Sequence, residues 1–380
     1  MKKIFIIAGE ASGDYLGGML MNDVHRLSNE EIEFSGIGGQ YMEKAGLNEL
    51  FSIGQLAIIG IFELVGKIFH VKKLIDRTVA KIQEYKPDLV ISIDSSGFTH
   101  RVDKKIKKLM PGTPIVHYVA PPVWAWRKWR AKSLPKFLDK LLVLLPFEAE
   151  LFLKHGLETV FVGHPIATDP DFHRPPEKEI QKFKGQDKIV VLLPGSRPSE
   201  INMHLPILAK VAEKMQHHYE NVRFVIPTPE SMLDRVCATT DNWDCRTLPV
   251  SDKSQKILAY YAADLAIAVS GSVTLELART GTPFVTIYKT SAITHMLVKL
   301  LIQIKYVCLV NILAARSIVP ELLQQDCTAE NIFNHVIALE AGPKADIQKK
   351  AFEEIIKSIT VDDPNAAARE ILKIFDLGRK

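Results

Sequence analysis

Short apolar runs alternate with amphipathic stretches of helical length along the whole chain. Apolar runs without alternating polar residues are typical of parallel strands that helices cover on both faces. Their alternation with helical patterns therefore predicts doubly wound α/β sheets. The predicted strands span 3–8, 89–93, 115–119, 140–145 and 159–162 in a first series, and 189–193, 222–226, 265–269 and 283–287 in a second.

One stretch rich in proline and charge, GHPIATDPDFHRPPEKE, separates the two series. Such a composition is typical of a linker, and 380 residues exceed what one hydrophobic core usually serves. We therefore expect Rossmann-like domains at 1–164 and 189–345, joined by a linker at 165–188, with ligands bound in the cleft between them. The weakly apolar residues 346–380 are expected to form helices that pack on either domain or across subunits.

Composition excludes several classes of protein. The chain is 47% hydrophobic and 24% charged, so a disordered or collagen-like protein is excluded. Its four cysteines form no CxxC pair, which argues against a zinc site or a disulfide framework and fits a reducing cytoplasm. Neither a signal peptide nor an apolar run of about 18 residues is present, so we expect a soluble or peripheral protein.

The net charge of +4 lies entirely in the part of the chain up to His164, and the remainder is neutral. This asymmetry indicates an anionic partner, although solvated lysine-rich helices explain so small an excess equally well. In the basic half, residues 58–74 carry apolar side chains at helical spacing with lysines between them. Such a helix either lies in a membrane interface, with its lysines at anionic headgroups, or buries its apolar stripe in its own domain.

Two strand-to-helix junctions in the second half have features of phosphate-binding sites. In LPGSRPSE, Gly195 allows a close approach to the backbone, Ser196 caps a helix, and Arg197 adds a guanidinium suited to phosphate oxygens. In SGSVTLE, small residues at 270–274 begin a helix, and Glu276 is placed to chelate a ribose diol. Two such junctions in one domain favour a nucleotide diphosphate, and no P-loop sequence is present. The alternatives are a tight turn with a solvated arginine and a purely local capping arrangement.

Two features of the first half carry candidate chemistry. Asp94 directly follows a predicted strand, where it serves either as a general base or as the cap of the next helix. After the next strand, three tryptophans alternate with basic residues, a combination that suits a sugar, a phosphate or an interface. Single-stranded nucleic acid is disfavoured because the net charge is small and no nucleic-acid fold signature accompanies the cluster. The cluster comprises Trp124, Trp126, Arg127, Lys128, Trp129 and Arg130.

An ordered set of motifs resembles the lipid-A-disaccharide synthase family over essentially the whole chain. The motifs are AGEASGD (8–14), GIGG (36–39), IGIFEL (59–64), KPDLVISID (86–94), HYVAPPVWAWR (117–127), LPFE (145–148), FVGHP (161–165), LLPGSR (192–197), SGSVTLE (270–276) and YVCLVNILAARSIVPELLQ (306–324). Each motif alone is weak, whereas the ordered set is highly specific.

This resemblance implies a GT-B fold, in which two Rossmann-like doubly wound domains face a central cleft. It implies a metal-independent, inverting glycosyltransferase without a cofactor, which joins UDP-2,3-diacylglucosamine to 2,3-diacylglucosamine 1-phosphate. The products are the β-1,6-linked disaccharide 1-phosphate of lipid A and UDP. Two lipid substrates favour a peripheral enzyme on the cytoplasmic face of the inner membrane, in contact with anionic lipids. The resemblance does not determine the oligomeric state, and a homodimer is one of the options.

The resemblance also assigns roles to residues of this sequence. Asp94 becomes the base that takes the proton of the acceptor 6-hydroxyl. The expected donor site comprises Gly195, Ser196, Arg197, Ser270, Gly271, Ser272, Thr274, Glu276 and Asn311. The expected acceptor side comprises Glu10, Ser12, Gly13, Asp14, Trp124, Trp126 and Arg127. For Glu10, Ser12 and Asp14 the alternative is a contact between the domains. The expected membrane patch comprises Ile61, Leu64, Ile68, Phe69, Lys72 and Lys73.

The loop at 9–14 looks at first like a nucleotide-binding turn. Because the second half holds better phosphate sites, we expect this loop to lie beside the strand of Asp94, as a wall of the transfer site. Two departures from the family pattern stand out: Gly97 replaces a second carboxylate, and Ala120 and Pro122 replace two serines. The alternatives are another GT-B UDP-sugar transferase or epimerase with a soluble substrate, and a dinucleotide-binding module, which lacks GxGxxG here.

Overall fold

A computed structural model describes residues 1–51, 54, 64–125, 128–291, 304–340 and 342–377. The chain divides into two compact units, one formed by Met1–Pro165 with Val361–Lys380 and the other by Ile166–Thr360. Ile61, Trp126 and Arg127, all predicted site residues, lie outside the described residues, as do the side chains of Leu64 and Ile68.

A seven-stranded parallel sheet forms the middle of the first unit. Its strands are β1 (Lys2–Ala8), β2 (Ile32–Ile37), β3 (Asn48–Glu49), β4 (Leu89–Ile93), β5 (Ile115–Tyr118), β6 (Lys140–Val143) and β7 (Glu158–Phe161). In space they lie in the order β3-β2-β1-β4-β5-β6-β7, so the direction of winding reverses between β1 and β4. Such a reversal opens a crevice at the carboxyl ends of the two strands.

Helices cover both faces of this sheet. They are α1 (Ala11–Leu27), α2 (Gln40–Lys44), α3 (Leu64–Tyr85), α4 (Thr99–Leu109) and α5 (Glu148–Leu153), with a 3-10 helix at Lys128–Lys136. Successive residues of β1 pack into different cores, since Ile4 and Ile6 join one cluster of buried side chains and Phe5 and Ile7 join the other. The apolar runs of the sequence therefore reflect burial on two faces.

The second unit is built in the same way around a six-stranded parallel sheet. Its strands are β8 (Lys188–Leu193), β9 (Val222–Pro227), β10 (Thr247–Val250), β11 (Leu265–Val269), β12 (Phe284–Tyr288) and β13 (Glu321–Leu323). Their order is β10-β9-β8-β11-β12-β13, with the reversal between β8 and β11. Its helices are α6 (Pro165–Thr168), α7 (Glu177–Lys184), α8 (Pro198–His218), α9 (Leu233–Thr240), α10 (Lys253–Ala262), α11 (Val273–Thr280), α12 (Leu309–Ala314), α13 (Ala329–Glu340) and α14 (Lys344–Ser358).

The segment predicted as a linker at 165–188 is folded. It contains α6, a 3-10 helix at Pro170–Phe172, and α7, which packs against α10. The ammonium group of Lys253 on α10 lies 3.0 Å from a carboxylate oxygen of Asp169 and 2.6 Å from one of Asp171. Ion pairs and burial therefore attach most of this proline-rich stretch to the second unit.

The C-terminal helices divide between the two units. Gln348 on α14 pairs its side-chain amide with the backbone N–H and C=O of Phe284 in the second unit, at 2.9 and 3.0 Å. The last helix, α15 (Ala366–Leu377), packs instead on α1 of the first unit. There Ile371 is fully buried, and Glu370 binds the buried ammonium of Lys140 at 2.9 Å. Among the described residues, no helix is both long and apolar enough to span a bilayer.

Candidate active site

The candidate site of the first unit lies at the carboxyl ends of β1 and β4, where the winding reverses. Ala8 pairs with Ile93, so the loops that follow the two strands begin side by side. A Cβ atom on Gly9 would lie 2.3 Å from the Cβ of Ser95, a contact that no side chain tolerates. Gly9 is therefore required by the close approach of the two loops, and the predicted position of the first loop beside the strand of Asp94 is confirmed.

Asp94 is the first residue after β4 and is half-buried. Its φ is +48° and that of Ser95 is +42°, so two consecutive non-glycine residues adopt the left-handed conformation. Each such residue costs of order 1–3 kcal/mol and persists only where the surroundings impose it. The hydroxyl of Thr99 donates to the carbonyl oxygen of Asp94 (2.8 Å), and the N–H of Asp94 donates to the carbonyl oxygen of Tyr118 (2.9 Å). Strain of this kind is concentrated at functional positions.

Asp14, a predicted acceptor-side residue, caps a neighbouring helix. Its buried carboxylate caps α2, because it accepts hydrogen bonds from the backbone N–H groups of Gly39, Tyr41 and Met42 at 2.8, 3.1 and 3.0 Å. The N–H groups at the start of a helix have no partner within the helix, so a carboxylate there is stabilising. Asp14 therefore stabilises α2, and its place on the acceptor side stays a prediction. Glu10 and Ser12 are exposed in the same loop, and Gly13 is buried.

Trp124 is held by a residue that the sequence reasoning did not assign. Its indole N–H donates to Oε1 of Glu148 at 3.0 Å, and its ring packs edge-on against Phe147. The backbone N–H of Leu145 donates to Oε2 of the same carboxylate at 3.2 Å. Burial raises the pKa of Glu148 to about 7. The signal available in the sequence was a single carboxylate in the otherwise apolar motif LPFE, directly after a strand.

The two predicted phosphate-binding junctions of the second unit come together. β8 and β11 are neighbours, and Leu193 pairs with Ala268, so the loops after them leave the sheet side by side. They lie at the point where the strand order reverses, which is the usual ligand site of a doubly wound sheet. The arrangement therefore brings the starts of α8 and α11 to one edge of the sheet.

The turn before α8 is shaped by Gly195 and Glu200. Gly195 has a φ of +111°, and a Cβ atom there would lie 2.6 Å from the Cβ of Glu200. Oε2 of Glu200 accepts hydrogen bonds from the backbone N–H groups of Ser196 (3.0 Å) and Arg197 (3.3 Å). The predicted unpaired N–H groups are thus capped within the protein, which corrects that part of the prediction. The side chain of Arg197 is 60% exposed, 3.7 Å from Oε1 of Glu200.

At the start of α11 the hydroxyls differ in their partners. Ser270 donates to the carbonyl oxygen of Val307 at 2.9 Å, and the buried Thr274 donates to that of Gly271 at 2.7 Å. Thr274 is therefore a local capping residue, and its contact with the nucleotide stays a prediction. Gly271 and Ser272 are exposed, and a Cβ atom on Gly271 would meet no atom within 4 Å. The fold itself does not require glycine at this position.

Glu276, the predicted ribose ligand, is half-buried and oriented by two neighbours. The hydroxyl of Tyr260 donates to its Oε2 at 3.1 Å, and the ammonium of Lys256 lies 3.0 Å from the same oxygen. Both partners lie on α10, one turn apart, so they hold one edge of the carboxylate in place. A carboxylate held in this way is suited to accept hydrogen bonds from a diol.

Asn311, a predicted donor-site residue, is buried within the second unit. Its side chain is fully buried, and its oxygen accepts from the backbone N–H groups of Ile318 (2.8 Å) and Val319 (2.9 Å). Its amide nitrogen donates to the carbonyl oxygen of Val319 and to Oε1 of Glu321, both at 2.8 Å. With four hydrogen bonds its capacity is filled. Asn311 therefore fixes the chain at 318–321, and its contact with the nucleotide stays a prediction.

His204 on α8 links the first junction to the end of β12. Its Nδ1 donates to the carbonyl oxygen of Glu200 at 2.7 Å, and its Nε2 accepts from the backbone N–H of Lys289 at 2.9 Å. Burial lowers the pKa of His204, which favours this neutral form. Sequence reasoning missed this residue because its only signal was a polar side chain on the apolar face of a helix.

The described part of the predicted membrane helix combines burial and exposure. On α3, Val71 and Leu74 are buried in the core of the first unit, as the alternative reading of this stretch requires. Phe69 is 80% exposed, and Lys72 and Lys73 are exposed beside it in sequence. A large apolar side chain next to two lysines is the pattern expected at a membrane interface.

Comparison with known proteins identifies close relatives. Residues 4–374 match the family described as lipid-A-disaccharide synthetase. The lipid-A-disaccharide synthase of Rickettsia typhi is 40% identical over 98% of this chain and 99% of its own length. That of Rhodospirillum centenum is 38% identical over 90% of this chain and 86% of its own length.

Solved structures of low sequence identity share the fold. The S. aureus MnaA co-structure with UDP has a TM-score of 0.68 at 13% identity, covering 100% of this chain and 97% of that one. The UDP-GlcNAc 2-epimerase from Neisseria meningitidis, bound to UDP-GlcNAc, has a TM-score of 0.63 at 10% identity, covering 100% of both chains. A glycosyltransferase from Rickettsia africae has a TM-score of 0.56 at 13% identity, covering 100% of this chain and 98% of that one. The predicted GT-B fold with two Rossmann-like domains is confirmed.

Proposed function

Because this chain belongs to the lipid-A-disaccharide synthetase family, we propose that it joins UDP-2,3-diacylglucosamine to 2,3-diacylglucosamine 1-phosphate. The products are the β-1,6-linked disaccharide 1-phosphate and UDP. The observation that carries the proposal is the family match over residues 4–374. The position of Asp94 at the winding reversal of the first unit and the paired junctions of the second support it.

Asp94 takes the proton of the acceptor 6-hydroxyl in this mechanism. The hydroxyl oxygen attacks the anomeric carbon of the donor, the bond from that carbon to the UDP oxygen breaks, and the electron pair leaves with UDP. Attack opposite to the leaving group inverts the anomeric configuration. Assistance by a positioned base contributes typically ~10²–10⁴-fold in rate, and the left-handed backbone of Asp94 is consistent with a residue held for such a task.

The second unit stabilises the leaving UDP. Arg197 has an exposed guanidinium, which can pair with a diphosphate through two parallel hydrogen bonds. Gly271 and Ser272 directly precede α11, where the helix dipole favours an anion and where the missing side chain of Gly271 leaves room for one. Glu276 binds the ribose diol. We expect charge stabilisation of this kind to replace a metal ion, so turnover should persist after treatment with EDTA.

Contact with the cytoplasmic face of the inner membrane delivers the two lipid substrates. Phe69 is the described apolar anchor, and Lys72 and Lys73 meet anionic headgroups. Charged contacts of this kind are screened by salt. Binding to vesicles with anionic lipid should therefore weaken as the salt concentration rises.

A transfer assay tests the proposal. Radiolabelled acceptor lipid and the UDP-sugar lipid are incubated with the protein, and the disaccharide and UDP are quantified. Asp94→Asn is the matched variant, and its turnover should fall at least ~10²-fold while UDP-sugar binding is retained. Formation of disaccharide by Asp94→Asn at the native rate would contradict the role of Asp94.

A second candidate function is a GT-B UDP-sugar transferase or epimerase with a soluble substrate. It is favoured by the fold shared with UDP-GlcNAc 2-epimerases. The same assay with UDP-GlcNAc and no lipid acceptor distinguishes it. Epimerised or transferred sugar from UDP-GlcNAc alone, with no lipid disaccharide formed, would favour this alternative over the lipid transferase.

A further inference from the structure

A chain of hydrogen bonds is buried beneath the loop that carries Asp94. The hydroxyl of Ser92 on β4 donates to Oδ2 of Asp103 on α4 at 2.9 Å, and it lies 2.7 Å from Nδ1 of His117 on β5. Ser92, Asp103 and His117 are all fully buried. The ring of His100, also on α4, packs edge-on against that of His117, with 4.6 Å between ring centroids. Sequence reasoning assigned no role to any of these residues.

Each element that contributes to this chain also contacts Asp94. Ser92 lies on β4, two residues before Asp94. His117 adjoins Tyr118, whose carbonyl oxygen accepts the N–H of Asp94. Asp103 lies on α4, the helix that begins at Thr99, whose hydroxyl donates to the carbonyl oxygen of Asp94. The buried chain thus joins the three elements that surround the left-handed pair Asp94 and Ser95.

The hydrogen-bond chain of Ser92, Asp103 and His117 is a poor source of stability for the fold. Among the described residues, Nε2 of His100 and Oδ1 of Asp103 are buried without a hydrogen-bond partner. Buried polar atoms without partners are costly, and apolar residues of similar volume often serve a core as well or better. Burial also raises the pKa of Asp103 to about 8 and lowers that of His117 to about 3, so both groups are held in their neutral forms. A cost of this kind calls for an explanation other than packing.

We propose that the chain of Ser92, Asp103 and His117 holds the backbone of Asp94 and Ser95 in its left-handed conformation, and that its members are positioning residues for the transfer reaction. The proposal rests on the proposed role of Asp94 as the base. Without these hydrogen bonds, β4, β5 and α4 are no longer joined by polar contacts beneath the loop. The backbone of Asp94 and Ser95 then relaxes to ordinary φ values. The Asp94 carboxylate is then displaced from the acceptor hydroxyl, while the donor site of the second unit is untouched.

Two variants of Asp103 test the proposal in the transfer assay. Asp103→Leu removes the hydrogen bond at similar volume, and its kcat should fall at least tenfold with the KM for the UDP-sugar unchanged. Asp103→Asn still bonds to Ser92, and its kcat should stay within about threefold of the native value. Equal kcat in the native protein and a folded Asp103→Leu variant would overturn the proposal. If Asp103→Leu fails to fold, Ser92→Ala, which changes almost no volume, is held to the same expectation.

Combination with Asp94→Asn separates positioning from general destabilisation. If the chain acts through Asp94, Asp103→Leu should cause no further loss in the Asp94→Asn background, whereas independent losses that multiply would overturn the proposal. Hydrogen exchange of the amides at 94–99 gives a readout that does not depend on catalysis. Faster exchange in Ser92→Ala supports the role in holding the loop, and unchanged exchange contradicts it. Native turnover of Asp94→Asn would instead refute the proposed role of Asp94 as the base, and the exchange result would still decide whether the hydrogen-bond chain holds the loop.

Discussion

Gly195 and Gly271 begin neighbouring junctions, yet the structure gives them opposite reasons to be glycine. Gly195 has a φ of +111°, and a Cβ atom there would lie 2.6 Å from the Cβ of Glu200. An added Cβ on Gly271 would meet no atom within 4 Å. We therefore predict that Gly195→Ala damages the fold of the second unit and that Gly271→Ala damages only ligand binding.

The magnitudes follow from the geometry. A non-glycine residue in the conformation of Gly195 costs of order 1–3 kcal/mol, and for a domain of this size each kcal/mol lowers Tm by about 2–4 °C. Gly195→Ala should therefore lower Tm by about 2–12 °C. Gly271→Ala meets no such strain, and an alanine at a compatible position even stabilises by about 0.4–1 kcal/mol through the unfolded chain. Its Tm should be unchanged or slightly higher.

Thermal unfolding and calorimetric titration with UDP check the pair. A methyl group on Gly271, where the diphosphate would approach, should weaken UDP binding by about tenfold, equivalent to about 1.4 kcal/mol. A native Tm for Gly195→Ala would refute the reasoning about the turn. Native UDP affinity for Gly271→Ala would show that the open space at this glycine has no connection with the ligand.

Three further variants probe other parts of the structure. Asn311→Ala leaves the backbone N–H groups at 318–319 without partners and should lower the free energy of unfolding by about 2–4 kcal/mol. The KM for the UDP-sugar should be unchanged in the folded fraction. A raised KM at native stability would instead support the predicted nucleotide contact. Folding lowers the pKa of the His204 side chain. As the pH falls below about 6.5, the unfolded chain therefore takes up this proton before the folded protein does. The free energy of unfolding then falls by up to about 1.4 kcal/mol per pH unit. Denaturant titrations between pH 7 and 5 should show a shallower loss for His204→Gln than for the native protein, and identical slopes would contradict this. Phe69→Ser should weaken vesicle binding several-fold without changing Tm. Leu153→Ser, at another exposed apolar residue, is the control and should bind vesicles as the native protein does. A lowered Tm for Phe69→Ser would show that Phe69 belongs to the core.

The sequence predicted the central strands well because they are buried on both faces. The spans of β4 and β11 agree with the predicted ones to the residue. A short, continuous apolar run is typical of a parallel strand that helices cover on both faces, so the run itself marks both ends of the strand. The strands that were not predicted, β2, β3, β10 and β13, are short or carry partly exposed polar residues, so their apolar signal is weak. The position directly after a strand also sufficed to identify the loop of Asp94 in the first unit and that of Arg197 in the second. In each doubly wound sheet, ligands bind at the carboxyl ends of the strands.

The partners of individual side chains were beyond sequence reasoning. Asp14, Thr274 and Asn311 all lie in motifs of the site, yet each is turned toward the backbone of its own unit. Their partners are set by which segments fold against them, and a polar residue in a motif looks the same whether it binds substrate or supports a residue that does. For the same reason Glu148 and His204 went unassigned, since each is recognised only by the groups around it.

The return of α15 to the first unit has a consequence for the order of synthesis. The surface of α1 that receives α15, and the ammonium of Lys140 that Glu370 binds, are made before residues 166–360 emerge from the ribosome. At about 5–20 residues per second that interval lasts roughly 10–40 s. The second unit can therefore finish folding while the apolar residues of the first unit that pack against α15 are still uncovered. Transiently exposed apolar surface of this kind favours aggregation. Variants that weaken α15 should lower the yield of protein in the cell more than they lower the stability of the finished fold.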